Sequence, residues 1–440
     1  MDRVLCALIY LITALSGFSG KQEKWEPGKK LKVLLVGYNG ARNTGSDVRV
    51  AAIARQVKAL FGADKVQLTV MTLNSKSMAG YFDKDVELLE FSSFFPLDLL
   101  RACSRHHAAI LCEGSTLKST FANALTLFMC EAAGIMARQG KPCLAYGSEV
   151  GKMEPFLEKA AARLCRDTYF ITRTESSLSA LKKLGLRGHA GTDAAWNYDG
   201  AVGNAEAEEL LRCQGWDSVK PLLGLAVINP FCWPVRASLT KWFKGKITGK
   251  LEGQYDKWYF FSDSPKRREA CEAYIQSVAA AANAFIKEND AFPVLIGMER
   301  LDEKPCKALS AQLDRAGAMF LSGEYKASVM TGILRRLDML VTSRYHAAVL
   351  SMKGACPIVA LSMDERLDGI LHELGLDGRY LLHSGEEGLA EKLSSAMKSA
   401  QVERDGIREK IQAALPEYQK KLNDMGIFMR EYIQTALRMS

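Results

Sequence analysis

From residue 31 onward, short runs of aliphatic and β-branched residues alternate with stretches whose apolar positions recur every three or four residues. The first pattern predicts buried strands and the second predicts amphipathic helices, so the chain reads as βαβ units around parallel sheets. Strands are predicted at 31–37, 66–73, 86–91, 108–112, 142–147 and 169–173, with helices at 47–60, 119–139, 155–165 and 175–184. Each helix opens near a polar capping residue or a proline, and most close near glycine. This first domain ends near Tyr198, and the Gly-, Ala- and Glu-rich segment 199–220 reads as a connector. A second series has strands at 222–228, 292–297, 318–321, 339–342 and 357–361, interleaved with helices at 267–287, 306–316, 347–353 and 366–374. The expected fold class is therefore α/β, with two Rossmann-like domains, 31–198 and 221–387, facing each other across a cleft. Residues 388–440 are helical with few breakers and are expected to pack back across both domains.

Two segments stand outside that alternation. Residues 4–15 are apolar, follow Arg3 and precede Ser16-Gly-Phe-Ser-Gly20, the layout of a signal peptide. Twelve residues are too few to span a bilayer, and the segment reads as a docked or interfacial helix in preference to a cleaved leader. The polar stretch 21–30 then serves as a linker. The second segment, 231–266, is longer than a usual strand-to-helix connection. It mixes Trp233, Trp242, Phe243, Trp258, Tyr259, Phe260 and Phe261 with Arg236, Lys241, Lys244, Lys246 and Lys250. That composition predicts an insertion meeting a membrane or a lipid-linked acceptor, the alternative being a lid folded over the cleft.

Composition narrows the class. With 440 residues, 48% of them hydrophobic, the chain can bury two or three cores. Eleven cysteines form no CxxC pair, which argues against a disulfide framework or a zinc ribbon and for buried thiols in a reducing, cytoplasmic compartment. The six histidines show no HExxH spacing, so no metal is expected. A net charge of +8 suits an anionic small substrate or a membrane surface as readily as nucleic acid and selects none of them.

Ligands of open parallel sheets gather beyond the carboxyl ends of the strands, so the residues just after each strand are the candidates. After the first strand comes Gly37-Tyr-Asn-Gly-Ala-Arg-Asn-Thr-Gly-Ser-Asp47, whose Gly37, Gly40 and Gly45 permit close backbone approach while the helix start offers unpaired N–H groups to an anion, with Asn43 a further binding candidate in the same loop. Its spacing matches neither the dinucleotide fingerprint nor the phosphate loop. After the fourth strand, Cys112-Glu-Gly-Ser-Thr-Leu-Lys118 offers Gly114, the hydroxyls of Ser115 and Thr116, and the Lys118 cation. Arg173 ends the sixth strand, with Asp193 further on. Arg344 and His346 follow the strand 339–342, supplying a fixed cation and a titratable proton donor, and Arg366 follows the next strand. For each, the plainer alternative is a capped turn or a hydrogen-bonded structural side chain.

In this order the segments resemble the polysaccharide pyruvyl transferase family. The family's Gly-Tyr-x-Gly loop and Asn-x-Gly-Asp-Glu are similar to Gly37 to Gly40 and Asn43-Thr-Gly-Ser-Asp47; its Gly-Gly-Gly-Ser loop is similar to Cys112-Glu-Gly-Ser115. Arg173 with Glu175-Ser176, Asp193, Arg344-Tyr345-His346 and Leu361-Ser-Met-Asp-Glu-Arg366 match its remaining signatures. Two departures are the acidic pair displaced to Ser46-Asp47 and Cys112-Glu113 in place of two glycines. The resemblance implies a glycosyltransferase-B-like fold and transfer of the pyruvyl unit of phosphoenolpyruvate onto two sugar hydroxyls as a ketal, in surface polysaccharide biosynthesis. No cofactor is implied, and the partners are phosphoenolpyruvate and a carbohydrate acceptor, a lipid-linked one included, at the inner face of the membrane; nucleic acid is not expected. Arg173, Arg344 and Arg366 would hold the donor, His346 would be the acid, and Asp47 would orient or deprotonate the incoming hydroxyl. The competing expectations are a nucleotide-sugar-dependent glycosyltransferase and a non-catalytic glycan-binding scaffold of the same fold.

Overall fold

The computed structural model describes residues 1–18, 22–92, 94–248, 254–256 and 259–438. The first domain is a parallel sheet of β1 (Leu31–Asn39), β2 (Val66–Thr72), β3 (Glu87–Glu90), β4 (Ala108–Leu111), β5 (Cys143–Ser148), β6 (Tyr169–Thr172) and β7 (Arg187–Ala190), in spatial order 3-2-1-4-5-6-7. β1 is central and almost wholly buried, as a strand covered by helices on both faces must be. The second sheet begins with β8 (Leu222–Ala226). Three short strands follow, β9 (Arg236–Ala237), β10 (Gln254–Asp256) and β11 (Tyr259–Phe260), forming a separate antiparallel piece. The main sheet resumes with β12 (Phe292–Gly297), β13 (Ala318–Leu321), β14 (Met339–Thr342), β15 (Ile358–Ser362) and β16 (Leu381–His383), all parallel, in order 13-12-8-14-15-16. Each sheet reverses strand order once, between β1 and β4 and between β8 and β14, the switch points at which such sheets bind ligands.

The helices explain the packing. Helix Thr44–Phe61 is capped by Asn43, whose side chain accepts from the Gly45 and Ser46 amides, and buries Val48, Val50, Ile53 and Val57. Each such aliphatic side chain stabilises the fold by about 1.5–3 kcal/mol. The tail forms helices Leu389–Val402 and Arg404–Leu437. The second returns to the first domain: Trp196 stacks on Tyr418 at 4.2 Å, Gln56 donates to the Leu422 carbonyl, and Tyr432 donates to the Cys143 carbonyl. Tyr418 also donates to Glu373 of the second domain, so this one helix straps the two together.

Several elements differ from expectation. Helix Pro96–Arg105 was not predicted; Pro96 starts it at the first turn, where a missing amide costs nothing. The edge strands β7 and β16 lack apolar alternation because each is only partly covered. The 199–220 connector contains helix Asn204–Cys213, which packs on helix Ala327–Arg336 of the second domain. Residues 4–15 lie within helix Asp2–Ser16, docked through Cys6, Ile9 and Ile12. Among the described residues no helix is long and apolar enough to cross a membrane, and every cysteine is free, eight of them buried.

Candidate active site

The strand ends of both sheets converge on one cavity of about 170 Å³, with first-domain residues on one wall and second-domain residues on the other. Its polar end is formed by Asn43, Ser46, Glu113 and Ser115 opposite Glu299, Arg344, His346 and Arg366, with Arg173 between them. An apolar end is lined by Phe91, Phe95, Leu125 and Phe128, the three rings packed together, while Phe121 lies 4.7 Å beneath the Arg366 guanidinium and carries Trp233 against it.

The polar end rests on a buried ionic scaffold. Asp193 is fully buried; its Oδ2 lies 2.6 Å from Arg49 Nη1 and 3.1 Å from Arg173 Nη1. Arg173 also pairs with Glu149, which accepts from Lys118 Nζ at 2.6 Å. Lys118 in turn sits 3.4 Å from Asp364, the partner of Arg366 at 2.7 Å. Burial alone would raise the Asp193 carboxyl, but Arg49, His346 and Arg173 hold it well below the usual carboxylate range. Arg344 is gripped separately by Asp302 and by Glu299, the latter at 3.1 Å. Burial pushes Glu299 up to about 7 even against the pull of Arg344.

His346 opens the helix Tyr345–Met352 and faces the first domain. Its Nε2 is 3.5 Å from Asp193 Oδ2, with no hydrogen-bond partner among the described residues. Burial lowers its pKa, partly countered by Asp193. Two glycines make this geometry possible. A Cβ on Gly45 would stand 2.1 Å from His346 Nδ1, and one on Gly114 would stand 2.9 Å from Arg173 Nη1. Two further buried donors lining or adjoining the cavity, Arg173 Nε and Trp233 Nε1, also have no partner among the described residues. An orphan donor carries a desolvation penalty of about 1–3 kcal/mol, so the walls of the cavity hold buried polar atoms that the fold itself does not satisfy.

Of the residues singled out from sequence, Asn43, Gly45, Gly114, Ser115, Arg173, Arg344, His346 and Arg366 line the cavity. Thr116, Lys118 and Asp193 do not; they lie behind it, Lys118 and Asp193 as members of the ionic scaffold. Gly40 shapes the loop with a φ of +79° and its amide donates to Asp47 at 3.4 Å. Asp47 is a further correction of role, beside Thr116, Lys118 and Asp193: it is buried off the cavity and pushed up to about 7 by that burial, so it does not line the space where an incoming hydroxyl would sit. The carboxylates that do face the cavity are Glu113 and Glu299. Glu113 stands in one of the two glycine positions noted above and accepts from Ser46 Oγ at 3.4 Å. Arg49, Glu149, Glu299 and Asp302 escaped the sequence reading, although Glu149 follows β5 directly and Glu299 stands two residues past β12.

The insertion divides differently from expectation. Trp233, Tyr255 and Tyr259 line the cavity, Trp233 meets Phe121 edge-on at 5.0 Å, and the Val235 amide donates to the Phe121 carbonyl. This part is a lid that reaches the first domain. Phe243 on helix Leu239–Thr248 is exposed, while Trp258 and Lys250 lie outside the described residues.

No protein-family model matches the sequence, and no curated protein does. Solved structures match over nearly the whole chain. A putative UDP-N-acetylglucosamine 2-epimerase from Listeria monocytogenes aligns with a TM-score of 0.59 at 12% identity, covering 92% of this chain and 97% of its own. S. aureus MnaA, solved with UDP, gives 0.58 at 10% identity over 93% and 98%. Anabaena HepE, solved with UDP-glucose, gives 0.55 at 13% identity over 91% and 100%. The chain therefore has the glycosyltransferase-B-type fold of two Rossmann-like domains around a cleft.

Proposed function

We propose that this protein is a carbohydrate-directed transferase whose donor carries phosphate and binds at the arginine end of the cleft. The observation that carries this reading is the convergence of Arg173, Arg344 and Arg366, from both domains, with His346 on one cavity. Planar guanidinium forks suit phosphate and carboxylate oxygens, and holding them on buried carboxylates fixes their geometry before the ligand arrives.

Two donors share this chemistry. A nucleotide sugar is favoured by the fold comparison, since MnaA and HepE were solved with UDP and UDP-glucose. Phosphoenolpyruvate is favoured by the ordered motifs and by His346. In that reaction His346 protonates the donor methylene, making C2 electrophilic; one sugar hydroxyl adds there, phosphate leaves, and a second hydroxyl closes the ketal. Glu299 or Glu113 then takes the hydroxyl proton, the position first assigned to Asp47. Calorimetric titration with UDP-sugars and with phosphoenolpyruvate, followed by assays for UDP or phosphate release over an acceptor panel, separates the two. Binding of neither donor would leave a glycan-binding scaffold and remove the transferase reading.

A further inference from the structure

Helix Asp2–Ser16 is amphipathic in a way its packing does not use up. Cys6, Ile9, Ile12, Thr13 and Ser16 face the protein, seated on helices Asn123–Arg138 and Pro96–Arg105. The opposite face carries Val4, Leu11 and Leu15, exposed at 75%, 56% and 56%, with Phe18 following at 79%. Spaced by seven and four residues, Val4, Leu11 and Leu15 form one helical stripe, and Phe18 stands just past the helix end. Phe94 and Leu97, at the start of helix Pro96–Arg105, are exposed as well. At 1.5 Å per residue a helix of this length covers about 22 Å, short of a hydrocarbon core of about 30 Å, so it can lie on a bilayer but not cross one.

The surroundings of the stripe are cationic. Arg3 lies over the Phe156 ring, Arg163 over Tyr10 and Arg138 over Phe18, at 5.8, 4.9 and 5.8 Å. The four helices Asp2–Ser16, Pro96–Arg105, Asn123–Arg138 and Pro155–Leu164 carry six cations against four carboxylates, and one of those four, Glu131, is fully buried. Asp2 is engaged by Asn123, and Asp98 by Ser92. An exposed apolar stripe flanked by arginines matches an anionic lipid surface, where the side chains enter the acyl boundary and the guanidinium groups meet the headgroups. The location serves the cleft: Phe95, Leu125 and Phe128, on or beside the same two supporting helices, line the apolar end of the cavity, with Phe95 next to exposed Phe94.

We propose that the outer face of helix Asp2–Ser16, continued by Phe94 and Leu97, docks on an anionic bilayer and holds the apolar end of the cleft beside it. Sequence offered two membrane contacts, this segment and the insertion, and part of the insertion instead contributes the lid. The test is flotation of the full chain with vesicles of phosphatidylcholine alone and of phosphatidylcholine with phosphatidylglycerol, at low and high salt. The expected result is partition onto the anionic vesicles that weakens with salt. Leu11→Gln with Leu15→Gln, or Phe94→Ser with Leu97→Gln, should lower partition by about tenfold or more. Arg138→Gln with Arg163→Gln should remove most of the salt dependence. These side chains are exposed or peripheral, so circular dichroism should confirm folding and donor titrations should be unchanged, which keeps this test separate from that of the donor. No partition by the wild type, or undiminished partition by both apolar variants, overturns the proposal. A concentration-dependent dimer in sedimentation that the apolar variants dissolve also overturns it, assigning the face to a second copy of the chain.

Discussion

His346 combines a proton donor's position with a lowered pKa, and the two together fix a pH signature. Burial favours its neutral form, so the protonated acid is available only below a pKa under the usual histidine value. Turnover limited by that acid should fall as pH rises through that lowered value. His346→Gln, which keeps size and polarity, should reduce kcat by about 10²- to 10⁴-fold with a small change in donor KM, and its pH-rate profile should lose that limb. A variant with near-normal kcat would remove His346 from the chemistry. A second buried group makes a prediction about stability. Glu131 is fully buried in helix Asn123–Arg138, neither of its oxygens has a partner among the described residues, and burial pushes it up to about 8. Its unfolded pKa is about 4.3. Between those values the unfolded chain has released the proton that the folded chain keeps, so stability falls as pH rises through the window. Glu131→Leu should flatten that dependence and raise stability at pH 8 by about 1–3 kcal/mol in chemical denaturation, because a buried unpaired polar group is replaced by one of similar size.

Among the elements, those legible in sequence were the ones whose own residues decide them. β1, β5 and β12 are largely apolar runs because helices cover both faces, and the helices after β1 and β6 carry their capping residues, Asn43 and Thr174, in the chain. The strand-end rule found Arg173, Arg344, His346 and Arg366, all of which reach the cavity. It missed Glu149 and Glu299, which obey the same rule, and Arg49, whose signal is a lone cation inside the apolar helical run Val48 to Ile53. What no local pattern contains is pairing across the cleft. The same limit applies to the insertion, whose aromatic and cationic composition fits a membrane or a lid equally; only the contacts of Trp233 with Phe121 and of Val235 with the Phe121 carbonyl identify the lid. If the lid shapes the cavity, Trp233→Ala should raise substrate KM by about tenfold, through lost aromatic packing of about 0.5–1.5 kcal/mol and lost apolar burial, with a smaller change in kcat. Equal KM values for the variant and the wild type, measured at saturating co-substrate, would separate the lid from binding.

At the scale of the whole molecule the cleft is held closed by contacts that cross it. The Thr44 amide donates to the Met298 carbonyl, Ser322 Oγ to the Arg42 carbonyl, and Lys118 bridges Glu149 of the first domain and Asp364 of the second. Asp193 is the most heavily engaged of these groups, anchored in its own loop by the Ala195 amide and facing two buried arginines and His346. Removing its charge leaves Arg49 and Arg173 partly uncompensated in a dry interior, an imbalance that costs about 3–5 kcal/mol when a buried pair is broken. Asp193→Asn should therefore lose stability on that scale at neutral pH, whereas His346→Gln, which removes a single 3.5 Å contact, should lose far less. Acid titration gives a second reading of the same group. Because the folded carboxyl sits below its unfolded value of about 3.9, its contribution is complete above that value and disappears as pH falls through the folded pKa. Urea unfolding from neutral pH down to the acid range should show the wild type and Asp193→Asn converging as pH falls. Parallel curves, separated by the same amount at every pH, would mean that the substitution acts through packing and that the charge of Asp193 is not what holds the two walls of the cleft in register.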